Sequence, residues 1–369
     1  MRNPNLFFNR PWSRPAEEAS YAPDAELQWW YFDAVLESGH RLLTFFLPRF
    51  AGSIEGNEPG LPMLDVALRS PEGETIRERR FFRPSELVAS RDHFAAEFGR
   101  EGSVAFEPAA EPGGLGRYRL RARTGKIRCD LEISPEVPPW APTRSGQLPR
   151  PLMMLLSRSL TTREYVHYVS YVPRGRLRGR ITADGRILDA RGVAYHEQGR
   201  MNFCLARLCT AWYWLHIEHP PWTILSGTLL PPPGVPRPRR GLLGGMGFVQ
   251  KGGECLLAAF DPTGTLVRWP LMESQDPLAR DGEKSMAWNA AVRLARPALS
   301  VRVALRSREV LEYVPFAYRE PTPRHPSWGQ TLVDAEVQIV HKLRKTRFTA
   351  QGVLETMVTG GGPGRRGSD

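Results

Sequence analysis

Apolar and polar residues alternate with a period of two along most of this chain, and Gly and Pro cut the pattern every few residues. Such a chain has room for many short strands and for almost no long helix. In Arg117–Arg123, Tyr118, Leu120 and Ala122 take one face and Arg119, Arg121 and Arg123 the other. That is an antiparallel sheet wet on one side. The 34 Gly and 34 Pro act as punctuation. Glu37-Ser38-Gly39-His40 parts two aromatic-rich runs within Glu26–Phe50, and Pro71-Glu72-Gly73, Asp184-Gly185 and Pro262-Thr263-Gly264 mark further turns. End to end the pattern gives roughly sixteen to twenty strands. A chain of 369 residues is too long for one ordinary core. The economical arrangement is all-β: two consecutive antiparallel barrels or sandwiches with few short helices. The expected divisions are an N-terminal arm over 1–22, β domains over 23–188 and 189–358, and a disordered tail over 359–369. Pro135–Leu160 interrupts the strands with a proline-rich and then apolar run. It reads as a loop plus a short amphipathic helix, either a lid over a cavity mouth or a connector tucked against a barrel. Pro231–Arg240 reads as a loop.

Charge and cysteine usage narrow the class. The net charge is +11, but the arginines are scattered in pairs such as Arg237/Arg239/Arg240, with no stripe collecting them. A nucleic-acid footprint is therefore not expected, while attraction to an anionic membrane surface is allowed. Cys129, Cys204, Cys209 and Cys255 lack C-x-x-C spacing and a matching His cluster, so no metal site and no disulfide scaffold are expected. The N-terminus has no apolar signal core, and no run of about eighteen apolar residues occurs. The expectation is a cytoplasmic protein, peripheral to the inner membrane face if it meets a membrane. Nothing fixes an oligomeric state.

One stretch carries chemistry. Gly192–Ile217 sets Tyr195, His196 and Glu197 side by side, then Trp212, Tyr213 and Trp214. In extended chain Tyr195 and Glu197 share a face while His196 and Gln198 take the other, which puts His196 outside the barrel. Trp212 and Trp214 likewise share a face, opposite Tyr213. An acid beside a hydroxyl, near large π-surfaces, suits protonation of an apolar substrate. The same residues also suit a polar hairpin tip capping an aromatic core.

The runs W-W-Y-F-D-A-V-L, G-V-A-Y-H-E, A-W-Y-W and Q-G-V-L-E-T-M, in this order between Glu26 and Met357, together resemble the carotenoid 1,2-hydratase (hydroxyneurosporene synthase) and AttH-like superfamily. The resemblance implies two lipocalin-like barrels in tandem. Related proteins include kievitone hydratase, tocopherol cyclase and fungal lipocalin-type Diels–Alderases. The hydratases carry His-x-Trp on one strand and Tyr-x-Asp, after a Gly, on a later one. Tyr195 matches the Tyr, Glu197 stands where Asp would be, and His167 falls within one residue of the His. The family's Trp corresponds to Val169 counted from His167, or to Tyr168 counted from Pro173. Tyr168 would face away from His167 unless a bulge intervenes.

What the resemblance implies is a cofactor-free hydro-lyase acting on an acyclic carotenoid or similar isoprenoid lipid. Hydrating an isolated C=C needs a proton on carbon and then capture of the cation by water, with no metal and no redox cofactor. A carboxyl serving as that acid must have its pKa raised by burial. Glu197 is then the general acid, Tyr195 holds its carboxyl, and His167 positions or activates water. Tyr168, Trp212, Trp214 and Trp30 line the substrate, with Trp212 and Trp214 facing the cation. Capture of the cation by an internal alkene would be cyclisation, and loss of a proton isomerisation. The alternative of another class is a non-catalytic lipid or pigment carrier.

Overall fold

Strands that bury both faces read differently from strands that bury one, and this difference organises the molecule. Arg117–Arg123 alternates between exposed arginines and a buried face. Leu27–Leu36, Gly192–Met201 and Ala211–His219 are buried on both faces along nearly their whole length. Chain of the second kind must lie between two packed layers.

The computed structural model describes residues 21–111, 113–141, 147–148, 153, 161, 163–209, 211–230, 242–243, 245–261, 267–270, 289–318 and 327–358. The arm up to residue 20, most of the helix expected within Pro135–Leu160, the Pro231–Arg240 loop, the turn at Pro262-Thr263-Gly264 and the tail lie outside them. The described chain is all-β, with two antiparallel sheets and two short 3₁₀ turns. None of its helices is long and apolar enough to cross a membrane.

The first sheet has twelve strands, and at its centre Arg41–Phe50, Leu27–Leu36, Gly192–Met201 and Val166–Ala183 lie side by side. The second has eleven, centred on Ser327–His341, Arg344–Val358, Ala211–His219 and Trp222–Leu230. The strand expected to open the C-terminal domain, Gly192–Met201, is hydrogen-bonded inside the first sheet, so sheet membership changes between Met201 and Ala211 rather than at 189. Asp184 and Gly185 both take positive φ, the requirement of a tight type I′ hairpin, and turn the chain back onto its own sheet.

Each sheet curls round its own core. Trp30, Phe32, Phe46, Phe98, Tyr118 and Ile181 lie inside the first. Tyr213, Leu215, Ile224, Val301 and Leu354 lie inside the second. A third apolar layer, containing Trp29, Tyr31, Trp140, Tyr168, Trp212, Trp214 and Trp328, fills the space between the sheets. Alternation accounts for the sorting: along Leu27–Leu36, Trp30, Phe32, Ala34 and Leu36 enter the first core and Leu27, Trp29 and Tyr31 the middle layer.

Further contacts join the sheets, among them ion pairs between Arg69 and Glu309 and between Arg174 and Glu218. Ser53–Ile54 pairs with the second-sheet strand Leu299–Ala317. A buried ion cluster lies alongside: Arg77 Nε meets Asp65 Oδ1 at 2.9 Å, Arg79 Nη2 meets Asp65 Oδ2 at 2.6 Å, and both arginines also pair with Glu312 of the second sheet.

Candidate active site

Register brings two three-strand patches face to face in the middle layer. On the first sheet Glu197 lies between Tyr31 and Ser170, and Gly199 between Trp29 and Tyr168. On the second, Trp214 lies opposite Glu355, which lies opposite Gln330, and two residues further along come Trp212, Met357 and Trp328. Large rings need space at the neighbouring strand, and glycine supplies it. A Cβ on Gly199 would come 2.1 Å from the Trp29 ring, and one on Gly227 would come 2.2 Å from that of Trp214.

At the centre stands Glu197, fully buried. Its Oε1 accepts from Trp29 Nε1 at 3.1 Å. Its Oε2 is bonded by the hydroxyls of Tyr168 and Tyr195, which contact each other at 2.9 Å. These three oxygens make a triangle with three edges, and two phenols can supply protons for only two of them. A proton on Glu197 supplies the third. Electrostatics point the same way: burial pushes the Glu197 carboxyl above its ordinary value, against the opposing pull of Tyr168, Tyr195 and Trp29. Both phenols are driven far up, by burial first and the Glu197 charge second, so they keep their protons.

The aromatic walls are continuous. Trp212 stands edge-on to Trp29 at 5.8 Å and to Tyr168 at 6.1 Å, while Trp214 lies 5.0 Å from Tyr168. His216 stacks on Tyr195 at 4.4 Å, and its Nδ1 is 3.2 Å from Asp33 Oδ2. Burial alone would raise Asp33, but Arg41 and His216 hold it below the usual carboxylate range, so it stays charged. A second buried acid faces Glu197 from the other sheet. Glu355 is pushed up to about 8 by burial and by the Glu197 charge, against the opposing effect of Trp328 and Gln330. At the Leu27 end of this layer a cavity of about 230 Å³ is lined by Leu27, Phe50, Phe203, Cys204, Leu205 and Tyr318. Leu27 precedes Trp29 by two residues on the same face, about 7 Å along a strand.

Of the residues singled out in the sequence, Glu197, Tyr195, Tyr168, Trp212 and Trp214 come together here. His167 does not. The irregularities in its strand fall after Ser170, too late to turn it, so it keeps the face opposite Tyr168. Its Nδ1 finds no partner among the described residues, and burial, followed by Arg200, lowers its pKa to about 3. Trp30 also points away, into the first core against Phe94 at 5.1 Å. His196 turns away from Glu197 as expected, but into that same core rather than outside it: it is fully buried and stacked on Phe32 at 3.9 Å. Sequence reasoning missed Trp29, His216 and Glu355. Trp29 shares parity with Tyr31, and His216 continues the Trp212–Trp214 face, so both carried a readable period-two signal. Glu355 was legible only as a lone carboxylate in the apolar run V-L-E-T-M. The four cysteines are free thiols, and among the described residues no group of three or more His, Cys, Asp or Glu side chains is placed to hold a metal ion.

Among known proteins, no family model and no curated sequence matches the chain. Solved structures do. CghA with Sch210972 superposes with a TM-score of 0.62 at 11% identity, covering 97% of this chain and 98% of that one. The chain has the CghA fold. Kievitone hydratase from Nectria haematococca gives 0.57 at 11% identity over 96% and 98% of the two chains. A putative AttH from Nitrosomonas europaea gives 0.55 at 14% identity over 92% and 94%. This shared architecture extends over nearly the whole of each chain and fits the lipocalin-like all-β arrangement.

Proposed function

We propose that this protein is an acid/base enzyme of hydratase type, which protonates an isolated C=C of a largely apolar small molecule in the layer between its two sheets. The observation that carries this reading is Glu197: a fully buried carboxyl, held by two phenols and an indole, and walled by aromatic rings. Glu197 gives its proton to one alkene carbon, leaving a tertiary cation on the other. The carboxylate so formed is stabilised by the Tyr168 and Tyr195 hydroxyls and by Trp29 Nε1, donors already in place before the charge develops. Trp212 and Trp214 present ring faces to the cation. Water adds to the cation, and the proton it releases returns to Glu197. Each element is neutral at the end, and no metal or redox step enters the balance. An isoprenoid chain is the substrate type that forms such a cation most readily. The likeness to kievitone hydratase and CghA supports the scaffold for this reading.

The test is direct. Purified protein is incubated with acyclic carotenoids and shorter polyprenoids, and products are read by mass. Gain of one water marks hydration, and a new product of unchanged mass marks cyclisation or isomerisation by the same cation. The Glu197→Gln variant keeps the size and the hydrogen-bond acceptor but has no acidic proton. It is expected to lose turnover and retain ligand binding. Unchanged product formation by the variant would remove Glu197 as the acid and leave a lipid-binding shell.

A further inference from the structure

Several donors that face Glu197 across the middle layer make no well-formed hydrogen bond. The Trp214, Trp328 and Gln330 side chains and the Tyr31 hydroxyl are all more than nine-tenths buried. Among the described residues Trp214 Nε1 has no partner, while Trp328 Nε1, Tyr31 Oη and the Gln330 amide have none of good geometry, Trp328 and Gln330 bonding loosely to Glu355 and Gln330 to Tyr31. They form one group. Trp214, Glu355 and Gln330 stand abreast on adjacent strands, Trp328 is two residues from Gln330, and Tyr31 faces Glu355 and Gln330 from the first sheet. Gln330 and Trp328 reach toward the Glu355 carboxyl, which keeps its proton through neutral pH and so adds another O–H.

We propose that Tyr31, Trp214, Trp328, Gln330 and Glu355 form an oxygen-binding subsite, which takes a neutral carbonyl or phenol-type oxygen carried by an otherwise apolar substrate. The inference builds on the acid role of Glu197 and narrows the substrate class: a plain hydrocarbon is the wrong ligand. An indole N–H can only donate, so a ligand without an acceptor leaves the Trp214 indole unpaired and Trp328, Gln330 and Tyr31 with only their imperfect bonds to one another and to Glu355. Sites of this kind discriminate strongly against analogues that lack the expected oxygen. The oxygen must be neutral, because burial already disfavours charge on both Glu197 and Glu355, and a bound anion would add a buried negative charge beside them. Arg41, the nearby cation, is committed to Asp33 at 3.7 Å. The subsite lies beside the acid, so the bound oxygen anchors the molecule while an alkene elsewhere on it meets Glu197.

The probes are matched pairs of equal shape: 2-acetylnaphthalene with 2-isopropylnaphthalene, and acetophenone with cumene. Affinity is read by titration calorimetry. Each hydrocarbon has the stronger hydrophobic drive into a greasy site, so a preference for the ketone reports hydrogen bonding. The ketone is expected to bind at least about tenfold more tightly. The Trp328→Phe/Gln330→Leu double variant removes two of the donors at a modest loss of volume, and is expected to reduce the ketone's advantage severalfold without weakening the hydrocarbon. Equal or undetectable binding of both members by the wild type, or a preference undiminished in the double variant, overturns the subsite. Glu197→Gln separates the two proposals. Ketone preference kept with turnover lost supports both, and preference kept with turnover intact refutes the acid alone. Preference absent from the wild type, with turnover lost in Glu197→Gln, refutes the subsite alone.

Discussion

Gly199 lies opposite Trp29, the indole that donates to Glu197, and the fit between them sets up a quantitative expectation. In Gly199→Ala the new Cβ would sit 2.1 Å from two Trp29 ring carbons, where an ordinary carbon contact is about 3.5–4.0 Å. An overlap of that size exceeds what small shifts absorb, so the ring must swing. A rotamer displaced by some 30° costs about 1 kcal/mol. Movement of the ring also breaks the 3.1 Å hydrogen bond to Glu197, a loss of about 1–2 kcal/mol with the acceptor left buried. The variant is expected to be less stable by roughly 2–4 kcal/mol, in line with other overpacked cores. Urea denaturation followed by circular dichroism measures this. The decisive control is a double-mutant cycle with Trp29→Leu, which takes away the obstructing ring. In that background Gly199→Ala should cost well under 1 kcal/mol, giving a coupling energy of about 2 kcal/mol. Equal destabilisation in both backgrounds would show that Gly199 is needed for its backbone and not for the indole, and would refute the reasoning.

Other expectations concern the same layer. Folded protein holds the Glu355 proton up to about pH 8, whereas the unfolded chain releases it near the ordinary value of 4.5, so folding takes up a proton across that window. Stability should therefore fall as pH rises from about 5 to 8, by up to about 1.4 kcal/mol per unit, and Glu355→Gln should flatten the slope; an unchanged slope would place the titration elsewhere. Tyr168→Phe and Tyr195→Phe each remove one hydroxyl from the triangle around Glu197 and should slow product formation by about 10²-fold with little change in fold, checked by steady-state assay and circular dichroism. Arg79→Met breaks the ion cluster between the sheets and should destabilise by about 3 kcal/mol in urea, because Asp65 and Glu312 stay buried with one cation fewer; a neutral outcome would mean the cluster is dispensable.

Much of the architecture was legible because strand periodicity is local. Tyr118/Leu120/Ala122 against Arg119/Arg121/Arg123 is visible in seven residues, and it holds in the structure as one buried and one exposed face. Asp184-Gly185 announced its hairpin in two residues. The same rule placed Tyr195 with Glu197 and Trp212 with Trp214. It could not decide whether Trp29 or Trp30 meets Glu197, because that depends on the pairing of Tyr31 with Glu197, a register between strands far apart in sequence. Nor could it tell which face of a doubly buried strand looks into a barrel. His196 was expected outside and lies in the first core, because that core is the hollow of the first sheet and Glu197 occupies the opposite face. Glu355 was hidden for a third reason: its significance comes from a facing sheet, and no spacing along the chain expresses that.

Ser53–Ile54 and the Asp65–Arg77–Arg79–Glu312 cluster bind the two sheets along one side. On the other flank of the layer, Arg174 of the first sheet pairs with Glu218 of the second. Glu197 and Glu355 therefore sit between two clasps, and the separation of their sheets is fixed from both sides rather than about one hinge. A guest admitted to this layer would be selected by its thickness, because the clasps hold the gap.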